Sequence, residues 1–230
     1  MKHLNLLIPA VVLLVVILAV MAAAWWYRVK ARRRTFIEQY RFPTLLRSKI
    51  LFKHPDLSEN QMFHVLEGLR QFFLVCAIAN AVGRKRSFGM PSKIVDDAWH
   101  EFILMSREYS RFCEQAFGGY LHHTPAGAGD EPHEKGLLRT LHQLKSDHAN
   151  AAGWAMLGGI PLLFAIDKAM AVEGGQHFDQ AAMNELEQKR QQWLQAGGDV
   201  SIELGGLHGD GDGCSGGDGG GGGCGGGCGS

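Results

Sequence analysis

Acid and imidazole side chains are grouped closely in the sequence between residues 91 and 125. Asp96 and His100 are four residues apart, and His122 and His123 follow after a Gly-Gly break. Residues four apart on a helix are surface neighbours, so Asp96 and His100 can touch. A carboxylate beside imidazoles can bind a metal ion or orient one imidazole as a general base. It can also simply brace a helix edge, and the spacing leaves these alternatives open.

One long helix is predicted to carry the Trp-His pair. It begins near Pro91 and runs to Phe117, where a Gly-Gly pair ends it. A helical wheel places Cys113 about 140° from His100, which argues against the thiol as a co-ligand. The positions predicted to face the core are Val95, Trp99, Phe102, Ser106, Tyr109, Cys113 and Phe117, with Phe112 in the same block.

This block also carries a family resemblance. PSKIVDDAWHEFI, a downstream Tyr, a Phe-Cys pair and FGGYLHHTP together resemble bacterial members of the glycine-rich domain-containing protein-like family. The resemblance extends more loosely to HPDL at 54–57 and PLLFAID at 161–167, although Thr124 departs from the His-His-Pro ending. It implies that a set of side chains is functional, without implying a reaction. The shared pattern falls on Asp96, Trp99, His100, Tyr109, Phe112, Cys113, His122 and His123.

The segment over residues 35–200 is predicted to be an all-α soluble domain of about five to six helices. Apolar residues recur at helical spacing, and no convincing alternating strands are present. A capping box, Ser58 to Gln61, predicts the start of one helix. Asp167, within an apolar helix, is predicted to pair with Lys or Arg. The other helices are predicted over Pro132–His148, from Pro161 to Gly174, after Asp179, and over Thr35–Leu51 with a break at Pro43.

Residues 1–34 are predicted to form a single transmembrane anchor with a basic flank. Leu6–Tyr27 contains no charged residue and spans about 33 Å as a helix, enough to cross a bilayer core of about 30 Å. The alternative is a cleaved signal peptide, but apolar segments of signal peptides are usually shorter. The cations at Arg28, Lys30, Arg32, Arg33 and Arg34 predict an inner-membrane protein with its N-terminus outside and its domain cytoplasmic.

The cysteines fall into two groups. Cys76 and Cys113 lie on apolar helix stripes and are predicted to be reduced core thiols. The segment over residues 201–230, which holds 16 of the 31 glycines, is predicted to be a disordered Gly/Cys-rich tail. Cys214, Cys224 and Cys228 in this tail could hold a soft metal, but they lack the two tight Cys pairs of a structural zinc site.

Two function hypotheses follow. The first is a membrane-anchored interaction or scaffold module that uses the Trp-His helix to bind a protein partner. The alternative is a metal-dependent enzyme in which Asp96, His100 and His122 or His123 hold a divalent transition metal. The predicted partners are the lipid bilayer and, under the first hypothesis, a protein. The 23 basic residues balance 23 acidic ones, which gives no argument for a nucleic-acid partner. The sequence leaves open whether the protein is an enzyme.

Overall fold

The computed structural model of the chain describes residues 2–80, 88–123, 132–148 and 155–197, and within them the predicted all-α fold is confirmed. The tail prediction for 201–230, with its cysteine metal site, lies outside these residues. The helices are α1 (Lys2–Gln39), α2 (Thr44–Lys53), α3 (Glu59–Asn80), α4 (Lys93–Leu104), α5 (Ser106–Phe117), α6 (His133–His148), α7 (Leu162–Ala169) and α8 (Gln180–Gln195). A short antiparallel hairpin, β1 (Met156–Leu157) and β2 (Ile160–Pro161), precedes α7.

Helix α1 is long and apolar enough to cross a membrane. Its candidate segment Val11–Gln39 has a mean hydropathy of 2.1 in the most apolar window, and none of that window is buried in the protein. The same length and composition also fit a signal sequence near an N-terminus. The predicted separate start of a juxtamembrane helix at Thr35 is wrong, because α1 continues unbroken to Gln39. The predicted break at Pro43 is confirmed, since α2 begins at Thr44.

The C-terminal end of α1 is part of the hydrophobic core. Ile37 is 1% exposed, and the Phe36 ring lies 5.8 Å from that of Phe112 on α5. The last carbonyls of a helix lack partners within it. Arg70 on α3 satisfies them here, because its Nη1 donates to the carbonyls of Ile37, Glu38 and Tyr40 at 2.7, 3.0 and 2.9 Å. The apolar helix is therefore docked on the domain.

Helix α3 is the central element of the domain. Its N-terminus has the predicted capping box, in which the Ser58 amide donates to Gln61 Oε1 and the Gln61 amide donates to Ser58 Oγ. Its buried stripe includes Leu69, Phe72 and Phe73, which are at most 1% exposed. Helices α1, α4, α6 and α7 all pack on α3. The core that positions the candidate site is therefore assembled around this helix.

The predicted single helix from Pro91 to Phe117 is wrong, because the chain breaks at Met105 into α4 and α5. Trp99 Nε1 donates to the Tyr109 hydroxyl at 3.1 Å. In a straight helix ten residues would separate them by about 15 Å. The break folds α5 back so that this buried hydrogen bond can form. It also changes the face that α5 buries, so Ser106, predicted to be in the core, is exposed.

The region around α7 differs from the prediction in three ways. The hairpin was missed, since strands of two residues are too short to show alternation; its turn uses Gly158 and Gly159 at φ values of 59° and 81°. Helix α7 ends at Ala169, before the predicted stop at Gly174. Among the described residues, Asp167 makes no ion pair with Lys or Arg. It is fully buried and accepts hydrogen bonds from Ser92 Oγ and the amides of Lys93 and Ile94 at the N-terminus of α4. It also accepts from the amide of Gln176, which follows α7.

Candidate metal centre

Helix α4 presents two of the predicted ligands on one surface. The Ser92 hydroxyl caps this helix by accepting from the Val95 amide at 3.2 Å. One turn further on, His100 Nδ1 lies 2.8 Å from the backbone carbonyl of Asp96 and 3.4 Å from Asp96 Oδ2. A carbonyl oxygen only accepts, so Nδ1 carries the proton in this contact. That tautomer leaves the Nε2 lone pair of His100 free to bind a metal ion.

The third predicted ligand comes from the loop that follows α5. Gly118 ends the helix in the left-handed conformation, with φ of 75°. The Tyr109 hydroxyl donates to the Leu121 carbonyl at 2.7 Å and anchors the loop. The loop then brings His123 Nε2 to 2.9 Å from Asp96 Oδ1. The His123 ring also stands edge-on against Trp99, with the ring centroids 4.3 Å apart.

Asp96, His100 and His123 form the cluster in the described part of the chain that could hold a metal ion. One ligand atom from each residue lies within 4.8 Å of the other two. Metal–ligand distances of about 2.0–2.2 Å place neighbouring donors about 3 Å apart, close to the observed separation between His123 and Asp96. His123 is 10% exposed, whereas Asp96 and His100 are 32% and 42% exposed. The cluster is therefore closed by the loop and open to solvent along α4.

His122 lies outside this cluster. It is exposed, and its ring packs against that of Tyr120 with centroids 4.9 Å apart. Successive residues of an extended segment point in opposite directions, so only one of the two adjacent histidines reaches Asp96. The sequence could not decide which of them it would be.

The four positions predicted to be the structural core of the motif, Trp99, Tyr109, Phe112 and Cys113, are all buried. Burial raises the pKa of Tyr109, which keeps its hydroxyl protonated as a donor to the loop. Burial also raises the pKa of the thiols of Cys76 and Cys113. Both cysteines are free and buried, as predicted for reduced core thiols. Cys113 interacts with Tyr109 and takes no part in the cluster.

Two further acidic residues of α4 were not singled out by the sequence. Asp97 Oδ2 lies 3.1 Å from His54 Nε2, and Glu101 pairs with Lys53 at 2.8 Å. The hydrogen bond from Lys53 lowers the pKa of Glu101, and Lys49 adds to the effect. Both contacts tie α2 to the side of α4 next to the cluster. The pairing of His54 with Asp97 gives a physical role to the HPDL segment.

We expect Tyr109→Phe to loosen the loop that carries His123. The change removes the hydroxyl that accepts from Trp99 and donates to Leu121, leaving two buried polar groups unpaired at a cost of about 1–3 kcal/mol each. If the cluster holds a metal ion, its affinity should fall about 10-fold or more, as for other changes behind a metal ligand. Thermal unfolding and metal titration measure the two effects. Tyr120→Phe, an exposed tyrosine in the same loop, is the matched control, and equal effects from both variants would contradict this role.

A comparison with protein families matches residues 32–200, which contain every helix from α2 to α8 and all three cluster residues. The chain belongs to the UCP032817-like family. No curated protein and no solved structure matches the chain significantly. The UCP032817-like region begins inside α1, within the basic segment before the docked end of that helix. The resemblance to the glycine-rich domain-containing protein-like family stays a prediction.

Proposed function

We propose that this UCP032817-like protein is a membrane-anchored helical domain that binds a divalent transition metal ion through Asp96, His100 and His123. The observation that supports the proposal is the convergence of these side chains from two separate elements, α4 and the loop after α5. A loop held by Tyr109 and Trp99 presents His123 at a fixed position. Such support behind a ligand is typical of metal sites.

The donor set favours a particular class of ion. Imidazole nitrogens suit zinc, iron, copper and nickel, and two histidines with one carboxylate are a common set for non-haem iron. Three protein ligands leave coordination positions open for water or a substrate oxygen. The exposed side of His100 supplies the access that such positions need. We therefore propose that the bound metal ion is accessible to water or a small substrate from solvent.

The interaction or scaffold role predicted from the sequence is a second proposal, and the same measurement separates it from the first. The full-length protein in detergent, with Cys214, Cys224 and Cys228 replaced by serine to remove the tail thiols, is titrated with zinc, manganese and ferrous ions under anaerobic conditions. We expect one ion per chain at the cluster. A protein that binds none of these ions and gains no thermal stability from them would overturn the metal proposal and leave the scaffold proposal.

We also propose that α1 is an uncleaved anchor and that the domain is cytoplasmic. The large apolar side chains over residues 11–27 are exposed, which is costly in water and favourable in lipid. The docking of Ile37 makes the end of this helix part of the folded domain. The cations that follow Tyr27 support a cytoplasmic domain by the positive-inside rule.

A reporter fused after Ser230 should be active only if it is a cytoplasmic type. The basic residues between Arg28 and Arg34 oppose transfer of the following segment across the membrane. Paired fusions of a cytoplasm-dependent and a periplasm-dependent reporter give the measurement, and expression levels are compared by immunoblot. Activity of the periplasmic reporter at this position would contradict the proposed orientation.

A further inference from the structure

The docking of α1 determines which end of the domain approaches the bilayer. α1 is one helix from Lys2 to Gln39, so positions along it translate into distance at about 1.5 Å per residue. Tyr27, at the end of the apolar segment, marks the membrane interface, where aromatic residues concentrate. The carbonyls bound by Arg70, at residues 37–40, then lie about 15–20 Å beyond that interface. This depth scale rests on the proposed membrane anchor.

Helix α5 runs back towards the membrane. Phe112 contacts Phe36 and Tyr40, and further along the chain Gly118 lies against the guanidinium of Arg33. Arg33 is six residues beyond Tyr27, or about 9 Å from the interface. The headgroup layer occupies about 5–8 Å on each side of the hydrocarbon core. The Gly118–Gly119 turn therefore lies at the outer limit of the headgroups.

Helix α3 approaches the membrane in the same direction. Arg70 is level with the end of α1, and Phe73, one turn later, contacts Phe112 and Phe117 on the side nearer to Gly118. The helix continues ten residues beyond Arg70 to Asn80, about 15 Å closer to the bilayer. Two separate elements of the domain thus end near the level of the headgroups.

We infer that the Gly118–Gly119 turn is a membrane-contact surface that touches the headgroups of anionic phospholipids. Both glycines are exposed, and Gly118 lies against Arg33. Arg28, Lys30 and Arg32 precede Arg33 on α1 and lie between the level of Tyr27 and the level of Arg33. Basic residues next to a membrane helix attract anionic lipids. The turn also precedes His123 by only a few residues, so the loop links this surface to the candidate metal site.

The chain offers a suitable set of positions for a photoreactive benzophenone side chain. Gly119 accepts one readily, because a Cβ there meets no atom within 4 Å. Phe63 is the matched control. Its side chain is 59% exposed, but it lies seven residues before Arg70 on α3 and therefore about 10 Å farther from the membrane than Arg70 does. Trp25, 67% exposed on α1, is the positive control for the anchor.

The full-length protein is placed in nanodiscs of phosphatidylglycerol, with phosphatidylcholine as the neutral comparison, irradiated and analysed by mass spectrometry for lipid adducts. We expect adducts at Trp25 and Gly119, none at Phe63, and a yield at Gly119 that is severalfold higher in phosphatidylglycerol. Adducts at Trp25 without any at Gly119 would overturn this inference and leave the anchor intact. Adducts at Phe63 as well would also overturn it, and equal yields in the two lipids would overturn the preference for anionic headgroups. A failure at Trp25 would refute the anchor itself.

Discussion

Replacing His123 by alanine should lower metal affinity by more than about 100-fold, because changes behind a ligand alone already cost about 10–100-fold. Among the described residues, His123 is the least exposed member of the cluster and the member that comes from outside α4. His100→Ala should have a similar effect. Isothermal titration of the full-length protein with zinc, manganese and ferrous ions in turn gives both affinities.

His122→Ala is the matched control for the histidine series, since His122 is adjacent in sequence but its ring packs on Tyr120. It should leave the affinity unchanged. The double variant His100→Ala with His123→Ala should lose little more than either single one, because residues of one site are not additive. The metal-dependent rise in melting temperature should disappear in the same variants. Equal losses from His122→Ala and His123→Ala would contradict the proposed ligand set.

Asp167→Ala should reduce the free energy of unfolding by about 4 kcal/mol, since it leaves several buried donors without an acceptor. The carboxylate accepts from Ser92 Oγ at 2.6 Å, the Lys93 amide at 2.7 Å and the Gln176 amide at 2.9 Å. It thereby joins α7 to the N-terminus of α4, where a negative charge is also favourable. Urea unfolding of the domain, followed by circular dichroism, measures the loss.

Two further variants test this role for Asp167. Asp179→Ala removes the exposed cap of α8, whose carboxylate accepts from the Ala182 amide, and should lower the free energy of unfolding much less than Asp167→Ala does. Gly175→Ala should be nearly as harmful as the loss of Asp167, because a Cβ there would stand 2.8 Å from Asp167 Oδ2. If Asp167→Ala were no more destabilising than Asp179→Ala, the buried carboxylate would not be a main link between α4 and α7.

The sequence could identify the group of residues from which the cluster is drawn, but not which of them come together in space. Helical spacing alone brought Asp96 next to His100, since neighbours four apart share a helix surface. His123 could not be chosen over His122, because that choice depends on the path of a loop whose anchor is the hydroxyl of Tyr109. The hydrogen bond from Tyr109 to this loop depends in turn on the helix break at Met105, and the sequence has neither Gly nor Pro there to signal a break.

Asp167 shows the same limit for a buried charge. Its position in an apolar helix predicted that it needs a partner, and the expected partner was a cation. The structure supplies backbone amides and a hydroxyl from α4, which is 74 residues distant along the chain. A buried carboxylate can be satisfied by either kind of donor, so only the packing of α7 against α4 could decide between them.

What the sequence alone determined is what periodicity and local chemistry control: the all-α class, the apolar N-terminal helix, the start of α3 at its capping box and the pairing of Asp96 with His100. Tertiary packing decided the fold-back of α5, the docking of α1 through Ile37 and the arrival of His123. Each of these depends on contacts between residues far apart in sequence. Periodicity records which face of a helix is apolar, but not which other helix covers it.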